Sequence, residues 1–550
     1  MLPIAMETLV IGLDGGEWDV IEPMIEEGQL PHLADLKESG VSGPLESIRP
    51  PVSPPAWNSI QTGMNPGKHG IFDFSDFDEK YRRTSTNASD RCAVPFWTIL
   101  NDYGTTTGLF KVPFTYPPED VDGYIVSGFP TPNGTDDFVR PMSLQEMTGP
   151  AKDLFEDKSL YTGGNQEKFK ENLIKVAEHQ TELFIELIES HETEFGMSVY
   201  DGSDRIQHYF WKYMDESHPR YEPDSPHTGA IEQYYKIVDD GIGRILERTG
   251  DDCDVLVISD HGFGPLSYDI YIDEWLAQEG FLTRNNQNKA RQTSTDVALL
   301  ALKSGWQLVK QAGLQDTVKS IVPASWFKTG KSLEHDSHRG IAWDETVAFF
   351  STLSGQGIFI NLEDRFAKGR VTGEEYDKVI EQVRESLLSI RHPETNEQLV
   401  EEVIRSDEAY SGWVVDNAPD LIVRTDPEYT LKNGSSDELV RSSKQFDQDR
   451  SGDHRKKGMF IASGPSFDSG TIENAGILDI APTLLYLHEC PIPDSIDGEV
   501  LHEIITEDLK ENNPINHTSK YGEFSGERRE WSENEEEALE ERLSNMGYLN

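Results

Sequence analysis

A chain of 550 residues is long enough to bury a large core and to divide into several domains. Hydrophobic residues make up 36% of it, low for a globular protein but above the range of disordered chains. Asp and Glu number 99 against 49 Lys and Arg, and the resulting formal charge of −50 excludes unaided nucleic-acid binding through a basic surface.

The acidic residues are spread along the chain rather than gathered in a tail. A folded molecule carrying them repels itself in dilute buffer and is relieved by salt, so the surface resembles that of proteins adapted to a salt-loaded cytoplasm. Cys92, Cys253 and Cys490 are odd in number and widely spaced, which fits neither a disulfide framework nor a zinc ribbon. No apolar run reaches the length of a membrane span. The opening MLPIAMETLVIGLDGG lacks the basic flank of a signal peptide. Cytoplasmic residence without a membrane partner is the expectation.

The first element is the apolar run 8–13, which ends at Asp14 and reads as a buried strand. Next comes PPVSPPAWNSIQTGMNPGKHGIFDF, where pairs of prolines flank Val52-Ser53 and a helical pattern starts from about Ala56. Ser53 is thereby expected on a stiff loop ahead of a helix, near outward-pointing N–H groups. That place suits an activated nucleophile beside an anion site, although a plain capping serine would look the same. Lys111 stands at another strand end, in GLFKVPFTYPP. Helical spacing over 167–189 and 231–248 alternates with apolar runs at 197–200, before Asp201, and 254–259, before Asp260.

This alternation predicts an α/β fold: a doubly wound, mostly parallel central sheet with helices on both faces, and ligands bound outside the carboxyl ends of its strands. Residues 6–284 and 340–505 are expected to form one discontinuous catalytic core. Between them, 285–339 reads as a helical cap insertion, from a polar stretch into DVALLALKSGWQLVKQAG. Residues 506–550 form an acidic tail with a terminal helix, in which Ser532 and Glu535 have capping-box spacing. Leu539, Leu543 and Met546 follow at helical spacing, with Gly547 as the stop. Docking on the body is the expectation for that helix, and binding of a partner is the alternative.

Several polar residues fall at these strand ends. Asp204 and His208 are four apart, so one helical turn aims both the same way. Asp260 and His261 are adjacent after an apolar run, and His454 sits in SGDHRKKGMFIASGP, a polar turn before a strand. Each has a dull explanation by itself: Asp14 as a helix cap, Asp204 with His208 as a solvated pair, His454 as a surface residue. Together they supply carboxylate and imidazole donors enough for two metals with three protein ligands each.

The segments VIGLDGGEWDVIEPMIEEGQLPHLADLKESG, PPVSPPAWNSIQTGMNPGKHGI, DGSDRIQHYFW, VISDHGFGP, SGDHRKKGMFIASGP and DIAPTLLYL resemble, in order, the type I phosphodiesterase/nucleotide pyrophosphatase branch of the alkaline phosphatase superfamily. The resemblance runs from about residue 7 to about residue 505. It implies a metal-dependent phosphodiesterase that cleaves small-molecule phosphate esters through a covalent phospho-serine on Ser53. It also implies that Asp14, Asp260, His261 and the Ser53 oxygen hold one divalent ion, and Asp204, His208 and His454 the other. Zinc is the family's usual metal, and manganese or iron suit the same ligand types. Taken with the charge, it points to a halophilic archaeal source.

Two departures stand out. Many relatives carry Thr at the Ser53 position, and either hydroxyl serves. The pyrophosphatases place Asn three residues later, where this chain has Ala56; Asn58 is the nearest substitute, with Lys111 as a second candidate contact to phosphate. This argues against a nucleotide substrate but not against ester hydrolysis. A sulfatase is excluded, because neither Cys92 (followed by AVPF) nor Ser53 (followed by PPA) stands in the required motif. A phosphonate hydrolase, a phosphomonoesterase and a non-catalytic metal-binding member are the remaining alternatives.

Overall fold

The computed structural model describes residues 6–148, 165–250, 252–285, 340–350, 356–434, 436, 438–442, 450–524 and 528–546. The expected cap lies outside these residues except for Asn285, as does Gly547.

A ten-stranded sheet organises the core, and its middle strand is Thr8–Leu13. Phe195–Tyr200 runs parallel on one side of it and Asp254–Ile258 on the other. Outward from Phe195–Tyr200 come the parallel strands Thr107–Val112 and Gly123–Ser127, then a short antiparallel Val139–Arg140. Outward from Asp254–Ile258 come Lys457–Ser463 and Val41–Glu46, each antiparallel to the strand before it. Short pieces at Gly470–Thr471 and Ala475–Gly476 pair with Val41–Glu46.

An uninterrupted apolar run makes sense at the centre, because successive side chains go to opposite faces and both faces are covered. Leu9, Ile11 and Leu13 enter a core with Phe184, Ile188, Val238 and Ile242. Val10 enters a second core with Trp57, Trp97 and Leu484 on the other face. The expected helices are present as Gln166–Ser190 and Ala230–Thr249. In the first, Leu183, Phe184, Leu187 and Ile188 make a stripe at helical spacing, each contributing about 1.5–3 kcal/mol of burial. The α/β, doubly wound sheet with helices on both faces is the fold of this chain.

A smaller lobe has no counterpart in the sequence reading. Ala348–Phe350, Gly357–Ile360, Leu421–Thr425 and Val400–Arg405 form a four-stranded antiparallel sheet. Helix Tyr376–Leu388 packs on it through Ile380, Val383 and Leu387, around Phe349 and Ile358.

The tail folds back on the body. Helix Glu533–Met546 is preceded by Ser532, whose N–H donates to Glu535 Oε2 (3.0 Å) while Glu535 N–H reaches Ser532 Oγ (3.4 Å). Leu539 and Leu543 are buried against Ile71, Phe74, Phe114 and Phe129, and Trp531 stacks on Tyr116. The three cysteines are free thiols. Among the described residues no helix is long and apolar enough to cross a membrane.

Candidate active site

The polar residues that follow the three central strands converge at one end of the sheet. Asp14 continues the middle strand, with its N–H on Tyr200 O (3.1 Å). Its Oδ2 accepts from Trp57 Nε1 (2.9 Å), and Ser203 Oγ donates to its carbonyl (2.7 Å). Gly15 then turns with φ +65, where a Cβ would lie 2.9 Å from Phe263 Cδ2. Only glycine fits that turn without strain. Its N–H donates to Asp260 Oδ1 (3.1 Å), which ties the ends of two neighbouring strands together.

His261 gives its Nδ1 proton to Gly262 O (3.0 Å), leaving the Nε2 lone pair facing inward. That nitrogen stands 3.1 Å from Ser53 Oγ, 3.3 Å from Asp260 Oδ2 and 3.7 Å from Asp14 Oδ1. Ser53 Oγ is also 3.4 Å from Asp14 Oδ1.

The helix Gly202–Met214 brings the next pair, with His208 Nε2 3.2 Å from Asp204 Oδ1. His208 Nδ1 donates to Gly452 O (2.8 Å). His454 lies on Gly452–Arg455, paired antiparallel with Gly262–Pro265, so His454 stands opposite Phe263. Its Nε2 is 3.1 Å from both Asp204 Oδ1 and His208 Nε2. One donor atom from each of Asp204, His208 and His454 lies within 4.8 Å of the others, and the same holds for Asp14, Asp204 and His261. Asp204 therefore belongs to both groups. Asp260, the third member of the first set by resemblance, is fully buried and its Oδ2 has no hydrogen bond.

Burial first, then the neighbouring Asp260 and Asp204, push the Asp14 carboxyl well above the usual range. Burial also drives Asp260 up to about 8 and His261 down to about 4, the latter helped by His454. For Asp204, burial acts upward, but His208 and His454 beside it hold the carboxyl well below its ordinary value. Burial thus holds the Asp14 and Asp260 carboxyls protonated and the His261 and His454 rings neutral until positive charge arrives, and a divalent cation is the charge that oxygen and imidazole donors accept.

Three expectations change. The helix starts at Ser53 itself, as Ser53–Thr62, rather than near Ala56. Pro54 and Pro55 fill its first turn, where an absent N–H is tolerated. They also remove the expected row of outward N–H groups, and Ala56 N–H is taken by Val52 O (3.1 Å). Asn58, expected on a phosphate oxygen, is fully buried with its Nδ2 on Pro54 O (2.8 Å) and its Oδ1 towards Arg91 (3.4 Å). Lys111 is neither a surface lysine nor, in this arrangement, a phosphate contact. It sits at a strand irregularity with φ +55, and its Nζ binds Asp201 Oδ1 (2.7 Å) and Gln180 Oε1 (3.1 Å). It thus anchors the residue from which the Asp204 and His208 helix departs.

Residues that the sequence reading missed support the cluster. Trp57 lies one helical turn after Ser53, and Gln207 Nε2 donates to Gly15 O (2.8 Å); helical spacing marked both. Arg450 carried no mark. Its Nη2 lies 3.1 Å from His208 Nε2, 2.8 Å from Nδ1, and 3.0 Å from Asp453 Oδ1.

Residues 8–458 match the family model of type I phosphodiesterases and nucleotide pyrophosphatases. The chain belongs to this family. It is accordingly a phosphoric ester hydrolase. Among solved structures it is similar to murine ectonucleotide pyrophosphatase/phosphodiesterase 5, both as such and as an inactive variant in complex with AMP. Each has a TM-score of 0.50 at 14% identity, covering 91% of this chain and all of the other. The human counterpart matches with a TM-score of 0.49, the same identity and the same coverage. At this identity the likeness is one of fold. No curated protein matches the chain in sequence.

Proposed function

We propose that the protein is a phosphodiesterase in which Ser53 is the nucleophile and two divalent ions, zinc or in its place manganese, occupy the paired donor sets. Asp14, Asp260 and His261 would hold one ion beside Ser53; Asp204, His208 and His454 would hold the other. The observation that carries this reading is the position of Ser53 Oγ, 3.1 Å from the inward lone pair of His261 and 3.4 Å from Asp14. The donor chemistry fits, and Asp260 supplies a buried carboxylate oxygen that no protein group satisfies. Bound ions would lower the pKa of Ser53 and neutralise charge on the phosphoryl oxygens and the departing oxygen.

The protein's own part is alignment. Trp57 and Ser203 fix Asp14, Gln207 and Asp260 fix the Gly15 turn, and Lys111 fixes Asp201. Ser53 Oγ gives its proton to solvent and bonds to phosphorus as the ester oxygen departs and takes up a proton from solvent. Water then attacks phosphorus and returns the serine, releasing a monoester. A phosphonate hydrolase would use the same donors. The charge of −50 supports a salt-loaded cytoplasm, as in a halophilic archaeon, as the working environment. The test is metal analysis beside hydrolysis of bis(4-nitrophenyl) phosphate: about two ions per chain and activity lost on chelation are expected. Full activity in metal-free protein would end the proposal.

A further inference from the structure

Helix Glu533–Met546 lies beyond residues 8–458, the part of the chain that matches the family model, yet it docks at the end of the sheet where the donors gather. Leu539 and Leu543 share one buried cluster with Phe114 and Phe129. Those two phenylalanines stand just past the carboxyl ends of the parallel strands Thr107–Val112 and Gly123–Ser127. Phe114 N–H donates to Phe129 O (2.7 Å), which ties the two strand ends together. Arg542 is buried beside them; its Nη1 donates to Thr131 O (2.6 Å) and its guanidinium lies 4.9 Å from the Phe129 ring centroid.

The turn next to the tail has an uncommon backbone. Lys111 has φ +55 and Phe114 φ +56, in the left-handed region where a Cβ is crowded. Such a conformation persists only where its surroundings hold it. Gln61 Nε2, on Pro113 O (2.6 Å), holds this turn from the body, and the Leu539 and Leu543 cluster holds Phe114 from the tail. The turn sends Lys111 Nζ to Asp201 Oδ1 (2.7 Å). Asp201 immediately precedes helix Gly202–Met214, and its carboxylate goes to Lys111 rather than to that helix's own N–H groups. Burial acts upward on the Asp201 carboxyl, but Lys111, then Arg205 and Arg542, hold it below its ordinary value. Charge on the tail is thus felt where the Asp204 and His208 helix begins.

We propose, resting on the two-ion reading above, that the tail helix is a positioning element of the active site and that Leu543 is its key residue. Its packing keeps the 111–114 turn in the shape that lets Lys111 hold Asp201, and so keeps Asp204 and His208 aligned with His454. Without that packing the turn relaxes, Lys111 releases Asp201, and the Asp204, His208 and His454 set loosens. The Asp14, Asp260 and His261 set follows other strands and meets this path only through Ser203, whose Oγ donates to Asp14 O (2.7 Å).

The experiment uses the full chain as wild type, Leu543→Ala, Leu543→Met, Lys111→Gln and the double variant Leu543→Ala with Lys111→Gln. In zinc titration calorimetry Leu543→Ala should weaken one of the two ions about 10-fold or more and the other less than about threefold. Leu543→Met should stay near wild type. Lys111→Gln should weaken the same ion, and the double variant should be no worse than the weaker single, because both act on one path. Additive losses, equal weakening of both ions, or no weakening would overturn the inference. Hydrogen exchange on the metal-free proteins gives a second reading. Leu543→Ala should speed exchange in 107–117 and 200–212 but not in 254–258; faster exchange everywhere would mean a merely structural tail. Leu543→Val takes its place if Leu543→Ala does not fold. If the wild type takes up no zinc, the two-ion reading fails by itself, while exchange still decides whether the tail controls that helix.

Discussion

His261 and His454 stack with ring centroids 3.9 Å apart. The two donor sets therefore share a wall, and whatever changes the charge in one is felt in the other.

Metal binding should release protons. Asp260 is raised to about 8 and Asp14 well above its ordinary value, so near pH 7 both carboxyls are largely protonated without an ion and must ionise to bind one. Zinc affinity should rise with pH up to about 8. Calorimetry in buffers of different ionisation enthalpy should find at least about one proton released per chain. Proton-neutral binding at pH 7 would contradict it.

Removal of the Ser53 hydroxyl should leave metal and fold in place, because the paired Asp and His donors remain. Ser53→Ala should lower turnover by about a thousandfold or more, and Ser53→Thr should keep substantial activity. Quenched-flow mass spectrometry should detect a phosphorylated Ser53 in the wild type. Near-normal turnover in Ser53→Ala would replace the covalent route by direct attack of water.

Acid stability should depend on His69, away from the donor sets. It is fully buried, accepts from Ile71 N–H at Nδ1 (3.1 Å) and pairs with Ser59 Oγ at Nε2 (3.1 Å). Burial, then the Arg91 guanidinium, push it down to about 3. The unfolded chain binds this proton near pH 6.5 and the folded chain does not. Its share of stability is present above 6.5 and is lost as pH falls from there towards 3. The loss is about 1.4 kcal/mol per pH unit, or about 2 kcal/mol at pH 5. Denaturant midpoints from pH 7.5 to 5 should fall more steeply for wild type than for His69→Gln; equal slopes would refute the assignment.

Salt should stabilise the molecule. With −50 formal charge, Tm should rise steadily with KCl from millimolar towards molar. A Tm independent of KCl would count against the saline environment while leaving the catalytic proposal intact.

Local patterns were legible where one physical cause dominated. The middle strand showed as an unbroken apolar run, and Gln166–Ser190 showed as a stripe. The Asp and His residues that converge at the sheet's end stood out because polar groups directly after such runs have few reasons to be there. What failed was hydrogen-bond destination. Nothing local tells that Asn58 spends its amide on Pro54 O or that Lys111 turns to Asp201. Arg450 meets His208 across a separation of 242 positions in the chain, which no spacing rule reaches. The strands of the smaller lobe, such as Ala348–Phe350, are too short for periodicity to separate them from loop.

The middle strand has a consequence for how the molecule is made. Thr8–Leu13 finds neither neighbour close in the chain: one edge waits for Phe195–Tyr200 and the other for Asp254–Ile258. During synthesis both edges of a wholly apolar segment stay open until those regions have left the ribosome. Contacts this remote make for slow folding, and open apolar edges invite association with other chains. A strand that is wholly buried in the native state thus passes through synthesis with both of its edges exposed.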